Sequence, residues 1–460
     1  MIGEAGRAVA APDERVRGKG LAQRLAQLRE EMSRDRVQFL FAEARTPHRG
    51  SQRYLENLGW TAAGFQPLNS QFGGHRESTV VYVKPQGLAL ELRRNNPRVI
   101  PEIATLAQTV LASLAFPVDV IVEDEADGYP TGHAFEIEEL VEKGLSALLR
   151  IERGRVSNRE IFGGSFSLSH GFFKIASSDT HYLVARDGDA LLGGIGFSWD
   201  PIDRKVRVIE LIASDDAVKG FLLAAMDQTA RDRFGAVYLE AEVSAHSPRM
   251  QRTLERLGFV AVAYCPSMVF HDVERLDVIR MAKLNCPYEL GPMRLLDAAQ
   301  RMKEIVEHGL EDQIVGLTVT EGTRRTDLFR DLPDGELHHL ARIAQMAHHE
   351  AGEYVVRQGD PASSLYIMLE GRGEVRHDGA KRAIVSPGDV FGEMALVEKT
   401  ERFADVVLTE PSRIIDIPIG RLERLMDRRP YLGYLVSRNL ARALSRKLQE
   451  RPEAPSASDT

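Results

Sequence analysis

The amino-acid sequence contains a long internal repeat, and this duplication limits the folds open to its N-terminal part. The segment QRYLENLGW at residues 52–60 returns as QRTLERLGF at residues 251–259, which is 199 positions later. Glu43 and Glu242 recur at the same offset, shortly before the two segments. Self-similarity at one fixed offset indicates a duplicated structural unit, and an offset of this length suits a unit of domain size.

Each copy has the pattern helix, strand, helix, strand. In the first copy, residues 37–43 are apolar and β-favouring, residues 51–58 have helical spacing, and Gly59 stands where a helix is expected to end. Residues 78–83 are the strand candidate that closes this copy. The second copy alone is preceded by an antiparallel meander, with strand candidates at residues 182–186, 191–199 and 206–213. The alternation predicts an α/β sheet with helices packed on it, and the first copy is expected to be half a domain or one whose start has been lost.

Composition and charge exclude several classes of function. The 460 residues are 43% apolar and 27% charged, which predicts a globular chain of about two to four domains. The formal net charge of −8 is a poor match for nucleic acid or an anionic membrane. Cys265 and Cys286 are too few for a disulfide framework or a four-cysteine zinc site, so we expect no metal and a reducing compartment. Apolar runs stay below the ~18 residues that cross a bilayer, and the N-terminus lacks the order of a signal peptide, so we expect a cytoplasmic protein with no membrane partner.

A phosphate-binding arrangement is predicted near the C-terminus. Residues 388–406 read GDVFGEMALVEKTERFADV, in which Glu393 and Arg402 are nine positions apart. A cyclic phosphodiester carries one negative charge beside a ribose 2′-hydroxyl, so binding it needs a guanidinium for the phosphate and an acceptor for the hydroxyl. Backbone N–H groups of a short helix that starts at residues 392–394 would face the same anion.

The stretch from residue 328 to residue 448 resembles the cyclic nucleotide-binding domain of cAMP-dependent kinases and bacterial catabolite activators, most specifically in its FGE-x-AL-x₅-R spacing. The resemblance implies a β-barrel (jelly-roll) with flanking helices that binds cAMP or another cyclic nucleotide as a small-molecule effector. It implies that Arg402 takes the phosphate and Glu393 the ribose. By the same resemblance, the rest of the cassette is formed by Phe391, Gly392, Met394, Ala395, Phe403 and Ala404.

Two positions depart from the pattern of this family. Phe403 and Asp405 replace residues that are usually smaller, so the phenyl ring would crowd the pocket and the carboxylate would put a second negative charge near the anion. A barrel that keeps its fold and binds nothing is therefore the alternative. Catabolite activators carry a helix-turn-helix after their long helix, which is predicted here at residues 431–448. Because only 12 residues follow Leu448, we expect no such module and no nucleic-acid partner.

A glycine loop near the N-terminus suits a pyrophosphate. Residues 15–22 read RVRGKGLA and precede a helix-like run. Consecutive backbone N–H groups at a helix N-terminus bind such an anion, and glycine lets the backbone approach it closely. The loop resembles the R/Q-x-x-G-x-G/A loop of the GNAT N-acetyltransferases, and residues 182–270 resemble a fuller GNAT domain.

The GNAT resemblance implies an enzyme that transfers an acetyl or acyl group from acetyl-CoA, or another acyl-CoA, to an amine. The acceptor would be a protein lysine or a small molecule. The resemblance implies that Glu210, on the strand before the second loop, is the catalytic base. The residues that it implies in acetyl-CoA binding are Arg15, Gly18, Lys19, Gly20 and Leu21 in the first copy and Gly220 in the second.

Both copies depart from the GNAT pattern. The second loop, SDDAVKG at residues 214–220, keeps only its last glycine and places two carboxylates at the anion site. The usual tyrosine of the last helix is replaced by Leu55 and Leu254, and His246 is interpreted as a turn histidine rather than a catalyst. Two functions therefore stay open. One is a cyclic-nucleotide-regulated N-acyltransferase, and the other is a non-catalytic cyclic-nucleotide sensor or scaffold with degenerate GNAT domains.

The expected fold class is α/β, as a tandem GNAT-like pair, followed by a helical linker and a jelly-roll cyclic nucleotide-binding domain. Residues 137–149 are predicted to be helical. The expected domains are a partial GNAT-like domain at 1–100, a partly helical connection at 101–172, a second GNAT-like domain at 173–275, a helical linker at 276–325, the cyclic nucleotide-binding domain at 326–450 and a disordered tail at 451–460.

Overall fold

The computed structural model describes residues 2–4, 24, 27–28, 31–32, 37–132, 134–140, 160–163, 180–397 and 401–449. The chain divides into two compact units, Met1–Leu310 and Glu311–Thr460. In the described part of the chain, no helix combines the length and the apolar character needed to span a bilayer.

The first unit is built on a large β-sheet with helices packed on it. Its described strands are β1 (Ile2–Glu4), β2 (Phe39–Arg45), β3 (Thr61–Phe72), β4 (His75–Pro85), β5 (Arg98–Val99), β6 (Ile121–Val122), β7 (Glu136–Glu139), β8 (Thr180–Asp187), β9 (Ala190–Asp200), β10 (Lys205–Ala213), β11 (Tyr238–Ser244), β12 (Val260–His271) and β13 (Glu274–Leu284). Its described helices are α1 (Gly50–Asn57), α2 (Leu88–Glu91), α3 (Pro101–Ser113), α4 (Asp216–Asp232), α5 (Pro248–Arg256) and the first part of α6 (Asp297–Arg324). Strands β5 and β6 pair with each other, and the other strands form one sheet in the order β1-β2-β4-β3-β12-β13-β11-β10-β9-β8-β7.

The strand order shows the sequence repeat in three dimensions. Strands β2, β4 and β3 are followed in the sheet by β12, β13 and β11, which are their equivalents in reverse order. The copies meet where Gly64 of β3 pairs with Ala263 of β12, and these two residues are themselves 199 positions apart. A pair of equivalent residues at an antiparallel seam defines an approximate two-fold axis. The duplicated halves therefore share one continuous sheet.

The two copies also share an irregularity in their long hairpins, which are β3–β4 in the first copy and β12–β13 in the second. Strands β3 and β12 are bulged at equivalent places, and the equivalent residues Leu68 and Ser267 both have positive φ, of 52° and 57°. Nε of Arg76 donates to the carbonyl oxygen of Leu68 at 2.6 Å, and Nε of Arg275 donates to that of Ser267 at 2.7 Å. A bulge leaves backbone groups outside the ladder, and an arginine at the same position satisfies them in both copies.

The segment that follows each copy is attached to the other copy. The buried amide of Gln251 donates to the carbonyl oxygen of Arg98 and accepts from the N–H of Ile100, both at 3.1 Å. The buried amide of Gln52 binds the backbone of residues 294–296 in the same manner. Helices α3 and α6 begin directly after these two segments. Through these hydrogen bonds, each copy binds the segment that leads into the helix after the other copy.

The sequence patterns miss one element of this unit and misplace two others. Strand β3 was not predicted, because Gly64 and Pro67 interrupt its apolar pattern. Residues 137–149, expected to be helical, begin within strand β7, and the rest of that range after residue 140 lies outside the described residues. The expected helical linker at 276–325 begins within strand β13, and helix α6 starts only later.

The second unit is a sandwich of two sheets with helices packed on it. Its described strands are β14 (Gln345–His349), β15 (Tyr354–Val356), β16 (Ser364–Glu370), β17 (Gly373–His377), β18 (Ala380–Val385), β19 (Val390–Phe391), β20 (Asp405–Leu408) and β21 (Ser412–Pro418). Its described helices are α7 (Asp334–Ala341), α8 (Ile419–Arg428) and α9 (Pro430–Gln449), with the last part of α6. The sheet orders are β14-β21-β16-β19 and β15-β20-β17-β18. Buried residues from both sheets form one core, which contains Val356, Met368, Val385, Phe391, Val406, Leu408 and Ile414. The predicted jelly-roll is therefore confirmed.

Candidate functional site

The predicted cassette begins with a tight turn after strand β19. Gly392 follows the strand with a φ of 81°, and a 3₁₀ helix then spans Glu393–Leu396. Residues with a side chain rarely adopt this left-handed conformation. A β-carbon at residue 392 would also lie 2.6 Å from Nη1 of Arg402. The turn therefore requires glycine for its backbone and for the space that the arginine occupies.

Arg402 is buried, with only 8% of its surface exposed. Its Nη2 donates to the carbonyl oxygen of Ser364 at 2.6 Å, and its Nη1 donates to that of Gly392 at 3.4 Å. The guanidinium carbon lies 5.5 Å from the ring centre of Tyr366, which stacks on Phe391 at 5.2 Å. Carbonyl oxygens orient a cation without neutralising it. A buried guanidinium in such surroundings favours an anionic ligand.

Glu393, the residue expected at the ribose, begins the 3₁₀ helix and is also 8% exposed. Phe391 and Ala395 are buried near it in the sequence, whereas Met394 is half-exposed and Ala404 is half-buried. The structure therefore buries both charged residues of the cassette. Charged side chains are seldom buried unless they have a partner or a ligand.

Neither of the two residues that depart from the family pattern has a buried side chain. Phe403 is 69% exposed, and its ring stacks on that of His377 with the centres 4.1 Å apart. The carboxylate of Asp405 accepts the backbone N–H of Gln358 at 2.7 Å. The ring of Phe403 thus lies on the surface, whereas the neighbouring Arg402 is buried. The expectation that the phenyl ring crowds the pocket is therefore corrected.

The comparison with known families agrees with this geometry. The sequence profile described as "Cyclic nucleotide-binding domain" matches residues 346–429, which include most of the sandwich and the cassette. The second unit therefore contains a cyclic nucleotide-binding domain.

The chain matches curated relatives over about a quarter of its length. It is 30% identical over 128 residues to the Cyclic AMP receptor protein of Thermus thermophilus, which is 27% of this chain and 57% of that protein. It is 32% identical over 122 residues to Glutaminase 2 of Bradyrhizobium diazoefficiens, which is 26% of this chain and 19% of that protein. The crystal structure of the Thermus thermophilus Catabolite Activator Protein is 30% identical, with a TM-score of 0.25, and the match covers 27% of this chain and 59% of that one. The chain thus spans only a part of each of these relatives.

The structure describes Glu210 and Gly220 among the residues expected from the GNAT resemblance. Glu210 lies on strand β10 and is almost fully buried. The hydroxyl group of Tyr182 donates to its carboxylate. The structure thus surrounds this candidate base with protein. The predicted loop residues of the first copy lie outside the described residues: Arg15, Gly18, Lys19, Gly20 and Leu21.

Strands β10 and β11 separate and leave a gap, which the chain itself fills. The two parallel strands pair along only the first three residues of each. Beyond that point, residues 160–163 lie between them. Ile161 forms a bridge with Val243 of β11, and the N–H of Gly163 donates to the carbonyl oxygen of Ile209 on β10 at 2.9 Å. The inserted segment thus continues the sheet across the gap.

The fit of the inserted segment is close. A β-carbon at Gly163 would lie 1.7 Å from the carbonyl oxygen of Val208. At the other end of the segment, Glu160 accepts from Nζ of Lys219 at 2.6 Å and from the hydroxyl of Tyr129 at 2.8 Å. These contacts anchor the segment to β10 and to helix α4.

The start of helix α4, where the second pyrophosphate loop is expected, is also covered. A β-carbon at Gly220 would lie 2.0 Å from the carbonyl oxygen of Pro130. The carboxylate of Asp215 accepts the N–H of Val218 at 3.1 Å and caps the helix. Gly220 therefore permits close packing of the chain on itself in this structure, and the position is not open to a ligand.

The recurring carboxylates of the two copies meet at one arginine. Nη1 of Arg280 binds Glu43 at 2.9 Å, and Nη2 binds Glu242 at 2.7 Å. Burial alone would raise the pKa of the neighbouring Glu240, but the guanidinium groups of Arg207 and Arg280 lower it to about 2. Sequence reasoning did not find this cluster, because Arg280 has no charged equivalent in the first copy. The cluster is an ion-pair network that connects the two halves of the sheet.

Proposed function

We propose that the chain is a cyclic-nucleotide sensor whose second unit binds cAMP, with Arg402 at the cyclic phosphate and Glu393 at the ribose 2′-hydroxyl. The observation that carries this proposal is the buried guanidinium of Arg402, which is oriented by two neutral carbonyl oxygens. An incoming phosphodiester supplies the negative charge that these partners lack. The relatives of this domain include a Cyclic AMP receptor protein and cAMP-dependent protein kinase regulatory subunits, which supports cAMP as the first ligand to test.

Calorimetric titration of the full chain with cAMP tests the role of the arginine. Arg402→Ala removes charge-assisted hydrogen bonds, so we expect binding to weaken by about 2–4 kcal/mol. Arg372→Ala, at an exposed arginine of the same unit, is the matched control and is expected to keep the affinity of the wild type. Equal affinity in both variants, or no binding by the wild type, would overturn the proposal.

The ribose assignment has its own test with 2′-deoxy-cAMP. The wild-type chain is expected to bind this analogue less tightly than cAMP, because the buried carboxylate of Glu393 loses its hydroxyl partner. Glu393→Gln is expected to narrow that difference. A Glu393→Gln chain that discriminates between the two ligands as strongly as the wild type would remove Glu393 from the ribose site.

An N-acyltransferase with acetyl-CoA as co-substrate is the second candidate for the whole chain. The observation that favours it is the gap between the parallel strands β10 and β11, with the buried carboxylate of Glu210 on the strand beside it. The segment at residues 160–163 fills that gap, which favours the non-catalytic sensor. We therefore place the sensor first.

Release of free CoA in the presence of an amine mixture separates the two candidates. If turnover occurs, Glu210→Gln is expected to reduce it by about 10²–10⁴-fold while acetyl-CoA still binds, because the general base is lost. Coupling between the units requires that saturating cAMP change the rate. Absence of turnover under both conditions would support the non-catalytic sensor.

A further inference from the structure

Tyr366 lies beside Arg402, the proposed phosphate ligand, although it is outside the predicted cassette. It belongs to strand β16, two residues after Ser364, whose carbonyl oxygen accepts from Nη2 of Arg402 at 2.6 Å. The guanidinium carbon of Arg402 lies over the ring of Tyr366, 5.5 Å from the ring centre. Strand β16 therefore supplies both a carbonyl oxygen and an aromatic face to this buried cation.

The neighbouring strand holds the ring of Tyr366 in place. Tyr366 is in register with Phe391 of strand β19, and the two rings stack with their centres 5.2 Å apart and their planes at 19°. Phe391 directly precedes Gly392, whose carbonyl oxygen accepts from Nη1 of Arg402 at 3.4 Å. The ring of Tyr366 also packs against the core between the two sheets. The aromatic face is therefore fixed by the same part of the fold that supplies the two carbonyl oxygens.

The ring acts on Arg402 through its π face and not through a charge. Burial and the carboxylate of Asp416 raise the pKa of Tyr366, so its hydroxyl stays protonated near pH 7. A neutral ring attracts a guanidinium by its quadrupole when the cation lies within about 6 Å of the ring centre. A carboxylate in this place would neutralise Arg402 and repel an anionic ligand. The aromatic ring stabilises the buried cation and leaves its charge available.

We propose that Tyr366 is a positioning residue for cyclic nucleotide binding, whose ring keeps the guanidinium of Arg402 in the orientation that receives the cyclic phosphate. This inference rests on the proposed function, which assigns Arg402 to the phosphate. The two carbonyl oxygens set the directions of Nη1 and Nη2, and the ring limits the movement of the guanidinium plane. A cation that is held before the ligand arrives lowers the ordering cost of binding.

Calorimetric titration of the full chain with cAMP compares variants with and without the ring. Tyr366→Leu removes it and is expected to weaken cAMP binding about 2- to 30-fold, the range of a cation–π contact at about 1.4 kcal/mol per tenfold. Tyr366→Phe keeps the ring and is expected to bind as the wild type does. Tyr354→Leu is the matched control, because Tyr354 of β15 also lies under an arginine, with Cζ of Arg357 4.1 Å from the ring centre. We expect this control to keep the affinity of the wild type.

A second measurement needs no ligand and separates the positioning of Arg402 from support of the fold. The full chain is labelled with ¹⁵N at its arginine residues, and the side-chain signals of Arg402 are identified by their loss in Arg402→Ala. Exchange between the Nη1 and Nη2 signals gives the rate at which the guanidinium rotates about its Nε–Cζ bond. We expect similar rates in the wild type and in Tyr366→Phe. The rate in Tyr366→Leu is expected to be at least about twofold faster, because the ring no longer holds the guanidinium plane.

Urea unfolding of each variant checks that the second unit keeps its fold, and Tyr366→Met is a second variant without a ring, since methionine fills irregular space in a core. The role of Tyr366 is overturned if Tyr366→Leu and Tyr366→Met bind cAMP as tightly as the wild type, if Tyr366→Phe loses as much affinity as they do, or if the rotation rate is the same in all variants. Each of these outcomes leaves cAMP binding by the wild type intact. No binding by the wild type would overturn the proposed function and this inference together.

Discussion

Gly64 of β3 faces Ala263 of β12 at the seam between the two copies, although the two residues occupy equivalent positions of the repeat. A β-carbon at residue 64 would lie 2.2 Å from the carbonyl oxygen of Val262 and 2.4 Å from Cα of Ala263. The close approach of the strands therefore admits alanine on one side of the seam and requires glycine on the other. The duplicated halves have diverged at the point where the symmetry brings them together.

Gly64→Ala is expected to destabilise the first unit by about 1–3 kcal/mol, because the added methyl group collides with backbone atoms of strand β12. These atoms cannot move without displacing the strand. Urea unfolding measures the change. Gly132→Ala is the matched control, since a β-carbon there meets no atom within 4 Å and its φ is not positive. Equal stability of the two variants would show that the seam can relax.

Gly392→Ala is expected to impair both stability and cAMP binding. The positive φ costs about 1–2 kcal/mol for a residue with a side chain, and the new β-carbon displaces the guanidinium of Arg402. Gly388→Ala separates the two effects, because Gly388 also has a positive φ, of 93°, but has open space around it. We expect Gly388→Ala to lose a similar amount of stability and to keep its affinity for cAMP. A loss of affinity in both variants would point to a general disturbance of the cassette.

Gly163→Ala is expected to expel residues 160–163 from the gap between β10 and β11, because its β-carbon would lie 1.7 Å from the carbonyl oxygen of Val208. If the gap is a co-substrate site, acetyl-CoA will raise the melting temperature of this variant more than that of the wild type. Gly132→Ala again supplies the control. No added protection by acetyl-CoA in Gly163→Ala would count against the acyltransferase candidate.

The free energy of unfolding is expected to fall below pH 6.5 in a way that depends on His246. Burial, together with Arg94 and Arg93, lowers the pKa of this imidazole to about 4 in the folded chain, against about 6.5 in the unfolded chain. Between these values the unfolded state binds a proton that the folded state does not, so stability decreases as the pH falls from about 6.5 to about 4. His246→Gln is expected to lose less stability between pH 7 and pH 5 in urea titrations. A pH dependence identical to that of the wild type would contradict this assignment.

Local sequence patterns predict those parts of the structure whose determinants are close together in the chain. The helix that ends before Gly59 and the strands of the meander follow from apolar spacing and from glycine at a helix end. The jelly-roll and its cassette follow from the resemblance to cyclic nucleotide-binding domains, which is most specific in the FGE-x-AL-x₅-R spacing. Strand β3 shows the limit of such patterns, because its bulge hides the alternation that would identify it.

The sequence by itself determined the duplication, because the repeat can be read directly. Through a family resemblance that is most specific in a short motif, it also determined the jelly-roll and the charged pair of its cassette. Only the tertiary structure decided what surrounds Glu210, what covers Gly220, and how Glu43 and Glu242 come to share Arg280. These arrangements depend on contacts between residues far apart in the chain. Such contacts arise from the register of paired strands and the packing of connecting segments, and neither leaves a periodic pattern in the sequence.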